Sequence, residues 1–168
     1  MIEAMFAAWR IDQVTALTGG RRVAELGGGI GLTGWYARRF GLADYRLVPL
    51  SRAAAAVQRY LLDDDPPPHG AERDTPPDLL FCDDVLQGMG SDELVELLDT
   101  QRRRGARAIL SFGQEAAGRP DAPAPRFAEV VARAGWTRRW RGRHGLRPGY
   151  VEEIYTANGG AAGTADDD

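Results

Sequence analysis

The sequence predicts an α/β fold in which helices pack around a doubly wound, mostly parallel β-sheet. Short apolar runs alternate with segments of helical length along most of the chain, which is the pattern of repeated strand–helix units. A glycine-rich turn joins the first apolar run to the helix after it, as at the first strand–helix junction of an open sheet. Two final apolar runs follow one another without a helix between them and predict a closing antiparallel hairpin.

The first half of the chain supplies an introductory helix and two strand–helix units. The larger apolar residues of the introductory helix are expected near one side, and these are Met5, Phe6, Trp9, Val14 and Leu17. Ser51 stands where it can cap the second helix of the sheet. The predicted elements of this half are the introductory helix at 2–17, strands at 21–26 and 45–50, and helices at 32–40 and 53–62.

The second half begins after a loop at 63–77 that is too rich in proline and acidic residues to hold a long regular element. The predicted elements after it are strands at 78–82 and 106–112, helices at 92–103 and 125–134, and the closing strands at 136–140 and 151–156. A single domain is predicted over 1–157. Residues 158–168, which are mainly glycine, alanine and aspartate, are expected to be a disordered tail.

Composition narrows the classes of function. The chain has 168 residues and a formal net charge of -3, whereas nucleic-acid binders usually carry a basic excess, so no nucleic-acid partner is expected. No apolar run reaches the roughly 18 residues of a membrane span, so no membrane partner is expected. Cys82 is the one cysteine, which excludes an internal disulfide and fits a reducing cytoplasm. Neither Cys nor His occurs at metal-ligand spacing, so no metal is expected.

The turn after the first strand carries the strongest functional signal. The run E-L-G-G-G-I-G at 25–31 ends a strand in an acid and then places glycines at positions 27, 29 and 31. Glycine permits a backbone with positive φ and leaves room for a ligand that lies across the turn. The helix that begins behind it would present unpaired N–H groups to an anionic group of that ligand. The spacing is tighter than the G-x-G-x-x-G pattern of dinucleotide sites.

This run resembles motif I of the class I S-adenosylmethionine-dependent methyltransferases. Residues 77–86 resemble motif IV of that family, 105–112 resemble its next strand, and 45–62 are most similar to bacterial putative sugar O-methyltransferases. The resemblance covers about 1–157. It implies a Rossmann-like three-layer α/β/α sandwich, S-adenosylmethionine as cofactor, and methyl transfer to an oxygen of a small-molecule acceptor, which would be a sugar or a secondary metabolite.

The resemblance also implies which residues bind the cofactor. Glu25 would hold the methionine amino group, and the glycines of the turn would approach the cofactor closely; these glycines are Gly27, Gly29 and Gly31. The acid that normally binds the ribose about 20 positions further on is replaced by Pro49, and Ser51 is its nearest substitute. The loop at 63–77 implies a sheet that is shortened around the family's third strand.

Polar residues at the ends of later strands are the candidates for catalysis. Asp83 and Asp84 follow a strand at the edge where α/β proteins bind ligands, and either could accept the proton of an acceptor hydroxyl. The alternative is that one of them only caps a short turn at 85–89. His144 lies between the last two strands and could act as a base, with Arg147 gripping an anionic substrate group. The alternative for this segment is a solvated basic turn.

Three other functions stay open from the sequence. A catalytically silent protein of the same fold, acting in a biosynthetic complex, would explain Pro49 and the shortened middle of the chain. A nonmethylating enzyme, such as a cyclase or isomerase, could use the same pocket. A dinucleotide oxidoreductase is disfavoured by the glycine spacing and by the missing ribose acid. The sequence also leaves open whether the protein forms a homodimer or binds a complex partner.

Overall fold

The computed structural model describes residues 1–27, 31–42, 44–48, 56, 75–84, 89–114 and 127–158. The helices of this part are α1 (Ile2–Thr18), α2 (Leu32–Arg39), α3 (Ser91–Arg103) and α4 (Phe127–Arg133). The strands are β1 (Val23–Leu26), β2 (Tyr45–Val48), β3 (Leu79–Asp83), β4 (Ala108–Gln114), β5 (Trp136–Arg143) and β6 (Tyr150–Ala157). Each described element lies within a few residues of its predicted position. The helix predicted at 53–62 and the tail at 159–168 fall outside the described residues, apart from Ala56.

The strands form one six-stranded sheet in the order β2-β1-β3-β4-β6-β5. β1 runs parallel to β2 and β3, and β3 runs parallel to β4. β6 is antiparallel to both of its neighbours, as the closing hairpin predicts. Within the described residues β2 is an edge strand, which agrees with the sheet predicted to be short around the family's third strand; residues 49–55 and 57–74 lie outside this part of the chain.

Helices cover both faces of the sheet and give it the predicted three layers. Alternate residues of each strand point to opposite faces, so that Leu80 and Cys82 pack under α3 and α4, whereas Leu79 and Phe81 pack under α1 and α2. All four side chains are fully buried. The lone cysteine is therefore part of the core, and its burial raises the pKa of the thiol.

Helix α1 forms where it is predicted, but its buried side is only partly the expected one: Val14 is buried and Phe6 packs against the core. Its buried residues are Ala7, Ala8, Ile11, Val14 and Thr15. Met5 and Trp9 are half exposed and Leu17 lies almost entirely in solvent. Apolar residues occur on both sides of this helix, and its small alanines are the ones that let it approach the sheet closely. None of the described helices is long and apolar enough to cross a membrane.

The sheet topology brings the ends of several strands to one edge. The parallel strands β1, β3 and β4 all end there. Because β5 is antiparallel to β6 and β6 is antiparallel to β4, the turn between β5 and β6 lies at the same edge. Gln114, the last residue of β4, is directly opposite Tyr150, the first residue of β6. The candidate catalytic residues of the sequence are thereby collected in one place.

Candidate functional site

A cleft of about 630 Å³ opens at this edge of the sheet. Its walls come from the end of β1, the start of α2, the end of β3, the turn between β5 and β6, and the first turn of α1. The ionisable and hydroxyl-bearing side chains that line it include Glu3, Glu25, Asp83, Asp84, Arg147 and Tyr150. Four carboxyl groups thus surround one guanidinium group, which makes the cleft suited to a cationic ligand.

The glycine-rich turn is flanked by residues that line the cleft, Glu25 before it and Leu32 and Thr33 after it. Gly27 has φ 89 and Gly31 has φ 85, both in the left-handed region that favours glycine. The Gly27 N–H donates to the carbonyl oxygen of Val48 at 2.9 Å, which ties the turn to the end of β2. Helix α2 begins directly after Gly31, and Leu32 and Thr33 line the cleft. Gly29 and Ser51 lie outside the described residues.

Glu25 lies near the end of β1 and is only 3% exposed, so it is a buried carboxyl group and not a solvated one. The Tyr45 hydroxyl donates to Glu25 Oε2 at 2.9 Å from the neighbouring strand β2. Burial raises the pKa of Glu25 to about 7, with a further contribution from the charge of Asp83, and the Tyr45 hydrogen bond opposes the rise. A buried carboxyl group poised near neutral pH would gain a partner if a cation entered the cleft.

Asp83, the last residue of β3, is held by Arg147 from the β5–β6 turn. Arg147 Nη1 donates to Asp83 Oδ1 at 2.6 Å, and Nη2 donates to Oδ2 at 2.9 Å. Arg147 Nε also donates to Glu3 on α1 at 3.1 Å. These bonds raise the pKa of Arg147, with the Asp83 hydrogen bonds as the main cause. Arg147 therefore binds the protein's own carboxylates, and an anionic group of an acceptor would have to displace them.

Asp84 follows β3 and has an unusual backbone conformation, with φ 48. A positive φ is uncommon for a residue other than glycine and is frequent at functional sites. The Tyr150 hydroxyl donates to Asp84 Oδ2 at 2.7 Å, and Arg147 Nη1 lies 3.9 Å from the same oxygen. Burial raises the pKa of Asp84, and the negative charge of Asp83 adds to this effect.

His144 is buried beside the cleft and does not line it. The residue is 7% exposed, so a solvated basic turn does not describe it. Its ring centroid lies 4.5 Å from that of Phe112 and 4.9 Å from that of Phe6. Its Nδ1 accepts hydrogen bonds from the backbone N–H groups of Leu146 and Arg147, at 3.1 and 3.0 Å. Burial, followed by the charge of Arg147, lowers the pKa of His144.

Three side chains of the site were not predicted from the sequence. Tyr45 and Tyr150 are the hydroxyl partners of the two carboxyl groups with raised pKa, and Glu3 is the outer partner of Arg147. Only Tyr150 could have been suspected from the sequence, because it lies just before the last predicted strand and that strand begins at the ligand-binding edge of the sheet. Within the described ranges, no three His, Cys, Asp or Glu side chains are grouped so that they could hold a metal ion.

Solved structures of methyltransferases share this architecture at low sequence identity. The CcbJ methyltransferase from Streptomyces caelestis aligns with a TM-score of 0.69 and 16% identity, over 92% of this chain and 95% of that chain. The glycopeptide N-methyltransferase MtfA, complexed with S-adenosylhomocysteine, aligns with a TM-score of 0.68 and 13% identity, over 89% and 88% of the two chains. The mitomycin 7-O-methyltransferase MmcR aligns with a TM-score of 0.62 and 19% identity, over 92% of this chain and 54% of that chain.

Sequence comparison adds no closer relative: no family model matches the chain, and no curated protein matches it significantly. The structural neighbours include O- and N-methyltransferases, so the likeness defines architecture and leaves the acceptor open. The chain therefore has the Rossmann-like fold of the S-adenosylmethionine-dependent methyltransferases.

Proposed function

We propose that this protein is an S-adenosylmethionine-dependent methyltransferase that methylates an oxygen of a small molecule, a sugar or a secondary metabolite. The observation that carries the proposal is the cleft itself. It runs from Glu25 and the start of α2, which flank the glycine-rich turn where the fold's cofactor would lie, to Asp83 and Asp84 at the end of β3. We also propose a cytoplasmic location, because the one cysteine is a buried core residue and needs no oxidising compartment.

The residues of the cofactor side fit S-adenosylmethionine. The cofactor would supply an electrophilic methyl group on a sulfonium and an ammonium that needs a counter-charge. The buried carboxyl group of Glu25 would bind that ammonium as its carboxylate, held in orientation by Tyr45. Gly27 and Gly31 have no side chains to fill the adjoining wall, and we propose the same role for Gly29. Ser51 remains our candidate for the ribose.

On the acceptor side we propose Asp84 as the base. The cofactor would supply the methyl group to the acceptor oxygen, and a carboxylate of this chain would accept the hydroxyl proton. Asp83 is the weaker candidate because both of its oxygens accept from Arg147. The raised pKa of Asp84 makes it the stronger base. The Tyr150 hydroxyl, which donates to Asp84, could turn its hydrogen toward the substrate when Asp84 takes the substrate's proton.

Methyl transfer from labelled S-adenosylmethionine to a panel of sugars, phenols and hydroxy acids tests this function. Asp84→Asn should lower turnover by roughly 10²–10⁴ with little change in affinity for S-adenosylhomocysteine. Asp83→Asn is the matched control, one residue away, and should lower turnover less. Calorimetric titration with S-adenosylhomocysteine measures the cofactor side separately.

Two outcomes would count against the proposal. Cofactor binding without transfer to any acceptor would indicate a silent protein or a nonmethylating enzyme on this fold. Transfer that survives Asp84→Asn at the wild-type rate would remove Asp84 as the base while leaving the enzyme in place.

A further inference from the structure

We propose that His144 is a positioning residue whose neutral ring holds the β5–β6 turn so that Arg147 stays on Asp83. Protonation of the ring would release this turn and disable the acceptor side of the cleft at acidic pH. The inference deepens the proposed function and rests on it for the activity readout. It replaces the role of general base that the sequence predicts for His144.

The geometry of the turn carries this inference. Both N–H groups bound by His144 Nδ1 belong to the residues that reach the cleft, Leu146 and Arg147. The backbone of Arg147 is thereby fixed on one side while its guanidinium binds Asp83 on the other. The His144 N–H also donates to the Tyr150 carbonyl oxygen at 3.0 Å, which closes the turn at its base. A shift of this turn would therefore move Arg147, Leu146 and Pro148 together.

The hydrogen bonds define the protonation state of the ring. A nitrogen that accepts two N–H groups cannot carry a proton, so the proton of the neutral ring is on Nε2. Adding a proton at Nδ1 would turn the acceptor into a donor that faces two other donors. Both backbone bonds would be lost at once, and the turn would lose its internal support.

The groups around His144 set the pH at which this occurs. The positive charge of Arg147 opposes protonation, whereas the carboxylates of Glu3, Asp83 and Glu152 favour it. Arg10 on α1 donates to Glu152 at 2.8 Å and reduces the effect of that carboxylate. The other rings packed against His144 are Phe6, Phe112 and Tyr150, of which only Tyr150 is ionisable. Burial and Arg147 prevail, so the pKa of His144 lies below its ordinary value of 6.5.

Two substitutions separate the accepting nitrogen from the packing of the ring. His144→Asn places an amide oxygen close to the position of Nδ1 and keeps an acceptor that does not titrate. His144→Phe keeps an aromatic ring between Phe6 and Phe112 and removes the acceptor. We expect His144→Phe to lower kcat/KM by about 10- to 100-fold, because a displaced turn misplaces the residues that would bind the substrate to be methylated. We expect His144→Asn to retain most of the wild-type activity, and its activity to fall less than that of wild type as the pH is lowered below 6.5.

Nitrogen NMR of the folded protein gives a readout that needs no activity. The sequence has two histidines, so the His144→Asn spectrum assigns the His144 signals by difference from those of His69. We expect the Nε2–H tautomer and a ring that titrates below 6.5. A proton on Nδ1, or a ring that titrates above 6.5, would overturn the inference whether or not methyl transfer is detected. Equal loss of activity in His144→Asn and His144→Phe would also overturn it. If the protein showed no transferase activity but had the expected tautomer, the proposed function would be contradicted and the inference about His144 would stand.

Discussion

An arginine and an aspartate form a bidentate pair at each end of strand β3, but only the pair at the carboxyl end faces the cleft. Before the strand, Arg22 Nη2 donates to Asp78 Oδ1 at 2.7 Å and its Nε donates to Oδ2 at 3.0 Å. At the end of the strand, Arg147 also binds both oxygens of Asp83, but through its two terminal nitrogens Nη1 and Nη2. The two ends of one strand thus allow the same chemistry to be compared in two surroundings.

The pair before the strand is electrostatically complete. Asp78 Oδ2 also accepts the backbone N–H groups of Arg21 and Arg22, at 3.2 and 3.1 Å. The Arg22 hydrogen bond is the main cause that lowers the pKa of Asp78 to about 2. The carboxylate therefore has donors on both oxygens and ties the segment before β1 to the start of β3. This is the arrangement of a structural ion pair.

The pair at the carboxyl end is outnumbered by carboxyl groups. The charge of Asp83 helps to raise the pKa of Glu25 and of Asp84, because Arg147 neutralises only part of the negative charge in the cleft. Groups that disfavour their own ionised forms in a cleft are typical of a site that awaits a ligand. The difference between the two ends is therefore in the balance of charge around each pair, and it supports our proposal that the carboxyl end is the functional one.

Removing the arginine at each end should give the largest contrast. Arg147→Met leaves Asp83 and Glu3 without their cation. It should lower turnover by about 100-fold, because the unpaired carboxylates would shift the residues on the acceptor side of the cleft. Arg22→Met should lower the melting temperature and leave turnover per folded molecule within about 2-fold of wild type. Labelled methyl transfer and thermal unfolding measure the two effects. An equal loss of turnover in both variants would mean that the two ends do not differ in function.

The sequence predicted the parts of the site that depend on local pattern. The glycine-rich turn, the acid before it and the two aspartates at the end of β3 all follow from where strands end, and the parallel sheet brings those ends together. The mostly parallel sheet and its closing hairpin were predictable for the same reason, since the order of apolar runs defines the strand–helix units.

The partners of those residues could not be predicted, because they depend on packing between distant segments. Tyr45 reaches Glu25 only because β2 pairs with β1 in the observed register, with Glu25 opposite Leu47. Tyr150 meets Asp84 across 66 positions of sequence. The burial of His144 depends on rings that lie far away in the sequence, Phe6 on α1 and Phe112 on β4. Pro49 and Ser51 lie outside the described residues, so their expected roles stay predictions.

The next contrast concerns the raised pKa of Glu25. A cofactor ammonium would favour the ionised carboxylate, so affinity for S-adenosylhomocysteine should fall by up to about 10-fold per pH unit below 7. In the protein without cofactor, the raised pKa of Glu25 has the opposite consequence for folding stability. The contribution of Glu25 to the free energy of unfolding is fully present below pH 4.5 and is lost as the pH rises through about 7. Calorimetry across pH 6–8 measures the affinity. Glu25→Gln should make it weak and independent of pH, whereas Glu3→Gln, also in the cleft wall, should keep the pH dependence.

The smallest effect is expected at the amino end of β3, and its pH dependence has the reverse sign. The folded-state pKa of Asp78 is depressed from 3.8 to about 2, so its contribution to stability is present above 3.8 and is lost as the pH falls through 2. Asp78→Asn keeps an oxygen for the backbone N–H groups and should cost about 1 kcal/mol at pH 7, less than the pKa shift alone gives, because solvent screens the partly exposed Arg22. Thermal unfolding should show a fall of roughly 2–4 °C, and a smaller one in the control Asp99→Asn on the surface of α3. A fall in affinity for S-adenosylhomocysteine in Asp78→Asn would contradict the separation of the two ends, because this carboxylate is outside the cleft and satisfied within the fold.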